Sequence, residues 1–125
     1  MADCDFIQRM TRHRNFDTRC LDYRRQWNQL METEIISREE HAIVRPLMIQ
    51  MGHIVADALE AKQDCLSAEQ VHRAYDDRTQ ALLDQENELA ENGNLSVKSH
   101  GLARNVLMGY ENVVRDALVA QFGSD

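Results

Sequence analysis

Apolar positions along this chain recur at steps of three and four for most of its length, the spacing that keeps side chains on one face of an α-helix. Phe16, Cys20, Tyr23, Trp27, Leu30 and Met31 form one such stripe. Ile43, Val44, Leu47, Met48, Met51, Ile54, Val55, Ala58 and Leu59 form a second, doubled by adjacent pairs. Val71, Ala74, Tyr75, Leu82 and Leu89 make a third, and Leu102, Val106, Leu107, Tyr110, Val113, Val114, Ala117 and Leu118 a fourth. Phe6, Ile7 and Met10 lie on one side of a shorter N-terminal stretch that Asn15 is expected to end.

Local signals place the ends of these stripes. Ser37-Arg-Glu-Glu40 and Ser67-Ala-Glu-Gln70 both match the capping box, in which a serine hydroxyl and the side chain three residues on satisfy each other's amides. Leu66 and Val71 occupy the staple positions around the second box. Gly93, within Asn92-Gly93-Asn94, suits the left-handed position just past a helix end. Ser96 and Ser99 read as caps of the last helix. Pro46 falls beyond the first turn of its helix and is expected to bend it or to mark a later start. The expected helices are 16–36, 38–64, 68–92 and 96–122, after a short arginine-containing N-terminal segment, 1–15. The very short connections predict antiparallel neighbours. The expected fold is all-α: one domain, an up-and-down antiparallel bundle of four main helices plus a short N-terminal helix. The Ile35-Ile36-Ser37 junction is short enough that helices 16–36 and 38–64 could instead form one kinked rod that dimerises.

Composition narrows this picture. One proline and five glycines in 125 residues exclude a turn-rich β fold. No apolar run approaches the ~18 residues of a membrane span, and the charged first ten residues do not read as a leader. The net charge is −7, and it is uneven: residues 1–30 carry +2, through six arginines, and residues 31–125 carry −9. An acidic chain repels phosphate backbones, so direct nucleic-acid binding is not expected. Cys4, Cys20 and Cys65 form no metal or redox motif and suit a reducing, cytoplasmic compartment.

Candidate chemistry is sparse. His53/Asp57 and His72/Asp76 stand one helical turn apart, and folding about residues 65–66 would bring Asp57, Glu60, His72 and Asp76 together as a metal site. The Glu-x-x-His repeats of bundle di-iron sites are missing, and these residues flank the apolar stripes. Among the acidic pairs, Glu88/Glu91 alone has helical spacing, with no second set facing it. Ser99–Gly109 resembles the histidine phosphotransfer signature around His100, with Leu102 and Gly109 near the expected places. That resemblance implies a four-helix domain and a role for His100. Ala103 and Arg104 stand where that signature has Lys-Gly, and His100 falls near a helix start, so no phosphotransfer expectation is drawn.

The expected function is therefore a non-enzymatic protein–protein interaction module, a small regulator, adaptor or inhibitor, without a cofactor. Tyr23, Trp27, Met48, Met51, Val55 and Leu59 are its candidate contact residues. The doubled stripe on 38–64 predicts a homodimer, because one seam needs only about a 100°-wide stripe and the excess would be exposed. The alternatives are a metal-dependent bundle enzyme using carboxylate and histidine ligands, and an acidic nucleic-acid mimic presenting residues 69–91.

Overall fold

The structure is a computed structural model that describes residues 2–62 and 64–123, with side chains from His13 onward. The described chain is all-α and contains no strand. Four helices pack together: α1 (Ala2–Glu32), α2 (Arg38–Glu60), α3 (Ala68–Glu91) and α4 (Val97–Phe122).

Three starts fall where the serines place them. Ser37, Ser67 and Ser96 accept from the amides of Glu40, Gln70 and Ser99, each at 3.1 Å. At Ser67 the box is complete, because the Gln70 side chain accepts from the Ser67 amide at 2.8 Å. The box at Ser37 is not complete. Glu40 Oε1 accepts from the Ser37 hydroxyl, while Oε2 reaches across the bundle and accepts from the Ser96 amide at 2.9 Å. One carboxylate thereby serves two helix N-termini, where backbone amides favour negative charge. Leu66 stays 46% exposed while Val71 is buried, so the core, more than a staple, holds the start of α3.

Two expectations about the first half are corrected. Asn15 does not break the chain: α1 is helical through it, since a single exposed asparagine is a weak breaker when the stripe continues to Phe16. The expected Phe6, Ile7 and Met10 face lies outside the described side chains. The second helix ends at Glu60, not at 64, and Ala61 is extended. Pro46 lies inside α2, exposed, where water can satisfy the carbonyl it leaves free.

The ends of α1 and α3 share one geometry. Gly93 donates to Ala90 O and Asn94 to Leu89 O, with Gly93 at φ 80°, a Schellman motif. Glu34 donates to Met31 O and Ile35 to Leu30 O, with Glu34 at φ 61°. The second turn thus puts a glutamate in the left-handed position that glycine occupies in the first.

The core lies mainly between α2 and α4, the most extensively packed pair, with α1 and α3 each touching both of them and not each other. This explains the doubled stripe of α2: Val44, Met51 and Ala58 are completely buried, and Met48, Val55 and Leu59 are at most 6% exposed. The excess that predicted an exposed patch is covered within one chain, by α1. By length and composition α2 could cross a membrane, at a mean hydropathy of 1.2 over 18 residues. In this fold it is the central core helix.

Candidate functional site

Where α1 ends beside the start of α4, the two helices diverge and leave a groove of about 430 Å³. Leu30, Leu102 and Val106 form its apolar base, and Ile35, 42% exposed, stands at its edge. Its rim carries amide and hydroxyl groups, from Gln26, Gln29, Thr33 and Asn105, and no charge. The groove opens here because Ile35 leaves the helix through the left-handed turn at Glu34. Farther along the same seam the helices are in close contact. Tyr23 lies over Gly109, where an added Cβ would overlap the tyrosine ring. Tyr23 also packs against Tyr110 at 5.6 Å between ring centres, and the Tyr110 hydroxyl donates to Cys20 O at 3.2 Å. Burial pushes the Tyr110 phenol above its ordinary range and the Cys20 thiol up to about 11, with Asp17 adding to the latter. Cys20 is an inert packing residue under these conditions.

On the other side of α1, Trp27 is 1% exposed, stacks on the His41 ring and donates to His41 O at 3.3 Å. His41 Nε2 meets Asn28 Oδ1 at 2.8 Å, so this nitrogen carries the proton. Burial, helped by Arg45, lowers the His41 pKa below its ordinary value.

The most unusual chemistry lies between α3 and α4. Glu86 is completely buried. Its Oε2 meets His100 Nδ1, while Oε1 makes no hydrogen bond and has Arg104 Nη1 at 3.9 Å. Arg104 in turn donates to Asn87 Oδ1 at 2.8 Å. His100 and Arg104, one turn apart on α4, close over a carboxylate that points into the bundle. The sequence pattern held a signal for it, since Glu86 continues the spacing of Leu82, Leu83 and Leu89. His72, Thr79 and Glu86, all buried, repeat every seven residues on this helix.

The expected metal ligands do not converge. Asp57 pairs with Arg78 at 2.8 Å, and Glu60 lies 3.4 Å from His13 on α1. His72 is buried with Nε2 2.9 Å from Gly123 O, and Asp76 is exposed. His72 turns inward because the α3 seam passes through position 72, which separates it from the outward carboxylates. Among the described residues no group of three histidine, cysteine or acidic side chains is placed to hold a metal. Glu88, Glu91, Asp76 and Asp77 are all exposed on α3, while Glu86 is buried.

The expected contact residues are interior. Trp27, Met48, Met51, Val55 and Leu59 are buried, and Tyr23 is half-buried against Gly109 and Tyr110. Tyr23 and Trp27 join α1 to α4 and α2, through Gly109, Tyr110 and His41. The apolar groups that do face solvent include Ile35, Met108 and Val97, the last 90% exposed. No family model matches the chain, and no curated protein or solved structure matches it.

Proposed function

We propose that the protein is a non-enzymatic interaction module, an up-and-down four-helix bundle that docks a partner protein on one helix face. The observation that carries this reading is the groove between α1 and α4, with an apolar base of Leu30, Leu102 and Val106 and an uncharged amide rim. Its size suits one or two apolar side chains of a docked segment. The amides of Gln26, Gln29 and Asn105 can bond that segment's backbone without selecting for charge. Val97 and Ile35, exposed at the helix ends, extend the apolar surface a partner can cover. The antiparallel arrangement is supported by pairs such as Arg19–Asp116, Asp57–Arg78 and Glu86–His100, each joining helices consecutive around the bundle. The free thiols of Cys20 and Cys65 fit a reducing compartment such as the cytoplasm.

The test is site-directed photo-crosslinking in the native host, with the probe at Gln29 on the rim or at exposed Asp84 on α3. A discrete adduct from the Gln29 probe alone, lost when Leu102 is replaced by Asp, is the expected result. Equal labelling from both positions, or none from Gln29, overturns the reading.

A further inference from the structure

We infer that α1 is an exchangeable element: it covers α2 and α4 of its own chain, and in a two-fold dimer it covers those of a second copy. Three observations carry this, and none depends on the groove's role in binding another protein.

The first is register. The interior positions of α1 are Phe16, Cys20, Tyr23, Trp27 and Leu30, with Met31 beside the last. Nine residues of α2 are buried, and six of them, His41, Val44, Met48, Met51, Val55 and Ala58, follow alternating steps of three and four. Continuing alternating steps of three and four from Leu30 passes through Glu34 and Ser37 and lands on His41, then on the other five of these six. A hairpin of two helices places no demand on their relative phase. One continuous helix does, because a seam repeating every 3.5 residues stays on one side only if the count is unbroken.

The second is the connector. Residues 33–37 contain neither glycine nor proline, and the turn depends on Glu34 at φ 61°, which is unfavourable for a residue with a Cβ. Straightening this segment to helix relieves Glu34. It also places Ile35 and Ile36 of both copies at the two-fold axis, where they cover each other.

The third is the seam. α1 contacts α2 and α4 but not α3, and cavities of about 370–430 Å³ line both of its seams. Loss of α1 would bare Met48, Val55, Val106 and Tyr110, which are at most 5% exposed now. The segment whose shape already fits that surface, with Tyr23 over Gly109 and Trp27 on His41, is another copy of α1. Because the exchanged contacts are identical, connector energy and protein concentration decide between the closed and exchanged forms.

Sedimentation equilibrium from roughly 5 to 500 µM tests this, because exchange makes the dimer fraction concentration-dependent. Two hinges open per dimer. Glu34→Gly, which favours the turn, weakens association about tenfold or more, and Glu34→Ala, which favours helix, strengthens it by a similar factor. A second measurement identifies the exchanged element. With Cys4, Cys20 and Cys65 replaced by Ala, an Arg19→Cys/Asp116→Cys variant is treated with a short bis-maleimide. Links between chains in the dimer fraction and within chains in the monomer fraction are expected. The inference is overturned if wild type and Glu34→Ala stay monomeric throughout, if dimerisation ignores residue 34, or if dimers link only within chains. That last result would assign the contact to another face or to side-by-side packing.

Discussion

α1 and α3 flank the same central pair of helices and are held by different means. α1 is anchored by large side chains, with Trp27 nearly inaccessible, Phe16 buried and Tyr23 over Gly109, and space remains along both of its seams. α3 buries smaller apolar groups, Val71, Leu82 and Leu83, and turns His72, Thr79 and Glu86 inward, where they depend on specific polar partners. Burial itself is non-directional, so the register of α1 rests on a few contacts, Tyr23 over Gly109 and Trp27 against His41. A buried carboxylate does constrain register, because each partner it loses leaves an uncompensated charge. One helix is thus held mainly by the burial of large side chains and the other also by buried polar pairs.

The largest effect is expected where α1 depends on one side chain. Trp27→Ala removes its main anchor, at a cost of about 3–5 kcal/mol. Hydrogen exchange should show amides of residues 13–32 losing protection well before those of 68–91. Equal loss in both helices would mean that the bundle opens as one unit and that the contrast between them is not energetic.

On α3 the sharper experiment compares two substitutions in one pair. His100→Ala leaves Glu86 buried without its histidine and should cost about 3 kcal/mol or more. Glu86→Leu removes the charge itself and should be close to neutral, since replacing a buried ion by an apolar group of similar volume often is. Chemical denaturation of the two variants checks the order. If Glu86→Leu is the more destabilising, the cluster contributes net stability and the buried charge is not a liability.

The same contrast explains what could be read in advance. The starts of α2, α3 and α4 were legible within a residue, because Ser37, Ser67 and Ser96 act on amides three positions away. The left-handed turn at Gly93 was legible for the same reason. The turn at Glu34 was not, since nothing local marks a glutamate for that conformation, and tertiary burial of Ile36 fixes it there. The doubled stripe of α2 pointed to a face left for a second copy, whereas both of its sides are buried within the chain. The covering side chains, Phe16 to Met31, lie in a stripe the pattern shows, but which neighbour that stripe meets is not written in its period. Glu86 continues the α3 stripe, but a glutamate is among the residues least often buried, so the pattern alone does not place it inside. Its partners, His100 and Arg104, come from another helix and carry no signal in the local pattern. The candidate metal set failed on the same ground, since the facing of His72 and Asp76 depends on where the α3 seam runs.

Gly109→Ala tests close approach on α1 alone. The added methyl overlaps the Tyr23 ring, which must swing away from Tyr110, and a cost of about 1–3 kcal/mol is expected. Gly52, where an added Cβ meets nothing within 4 Å, supplies the control. Thermal melts in which both substitutions behave alike would show that α1 re-seats without penalty.

Glu34→Gly should act in the opposite direction, stabilising the closed chain by about 1 kcal/mol through relief of the left-handed strain. The reverse change at the matching turn, Gly93→Glu, should cost a similar amount. A rise in melting temperature for the first and a fall for the second would show that the two turns differ by one residue's conformational preference. No change at Glu34 would place the strain elsewhere.

The smallest effect separates the helices by pH. His41 sits under α1 with its pKa lowered by burial and by Arg45, so the unfolded chain binds its proton more readily than the folded one. Its contribution is therefore fully present above the ordinary histidine value and is lost as pH falls through that value towards the lowered one. Glu40 behaves alike in a more acidic window. Its carboxyl is lowered chiefly by the bond from the Ser96 amide, so its contribution is lost below the ordinary carboxylate range. Stability should thus decline in two steps on acidification. The first, below the ordinary histidine value, should appear in α1 before α3, because the His41 ring carries Trp27 and Asn28. Trp27 fluorescence reads that step directly, since Trp27 is the one tryptophan. His41→Gln, which keeps a donor towards Asn28 but does not titrate, should flatten the first step and leave the second. A His41→Gln variant with the first step unchanged would assign that step to another group and remove the pH contrast between the two helices.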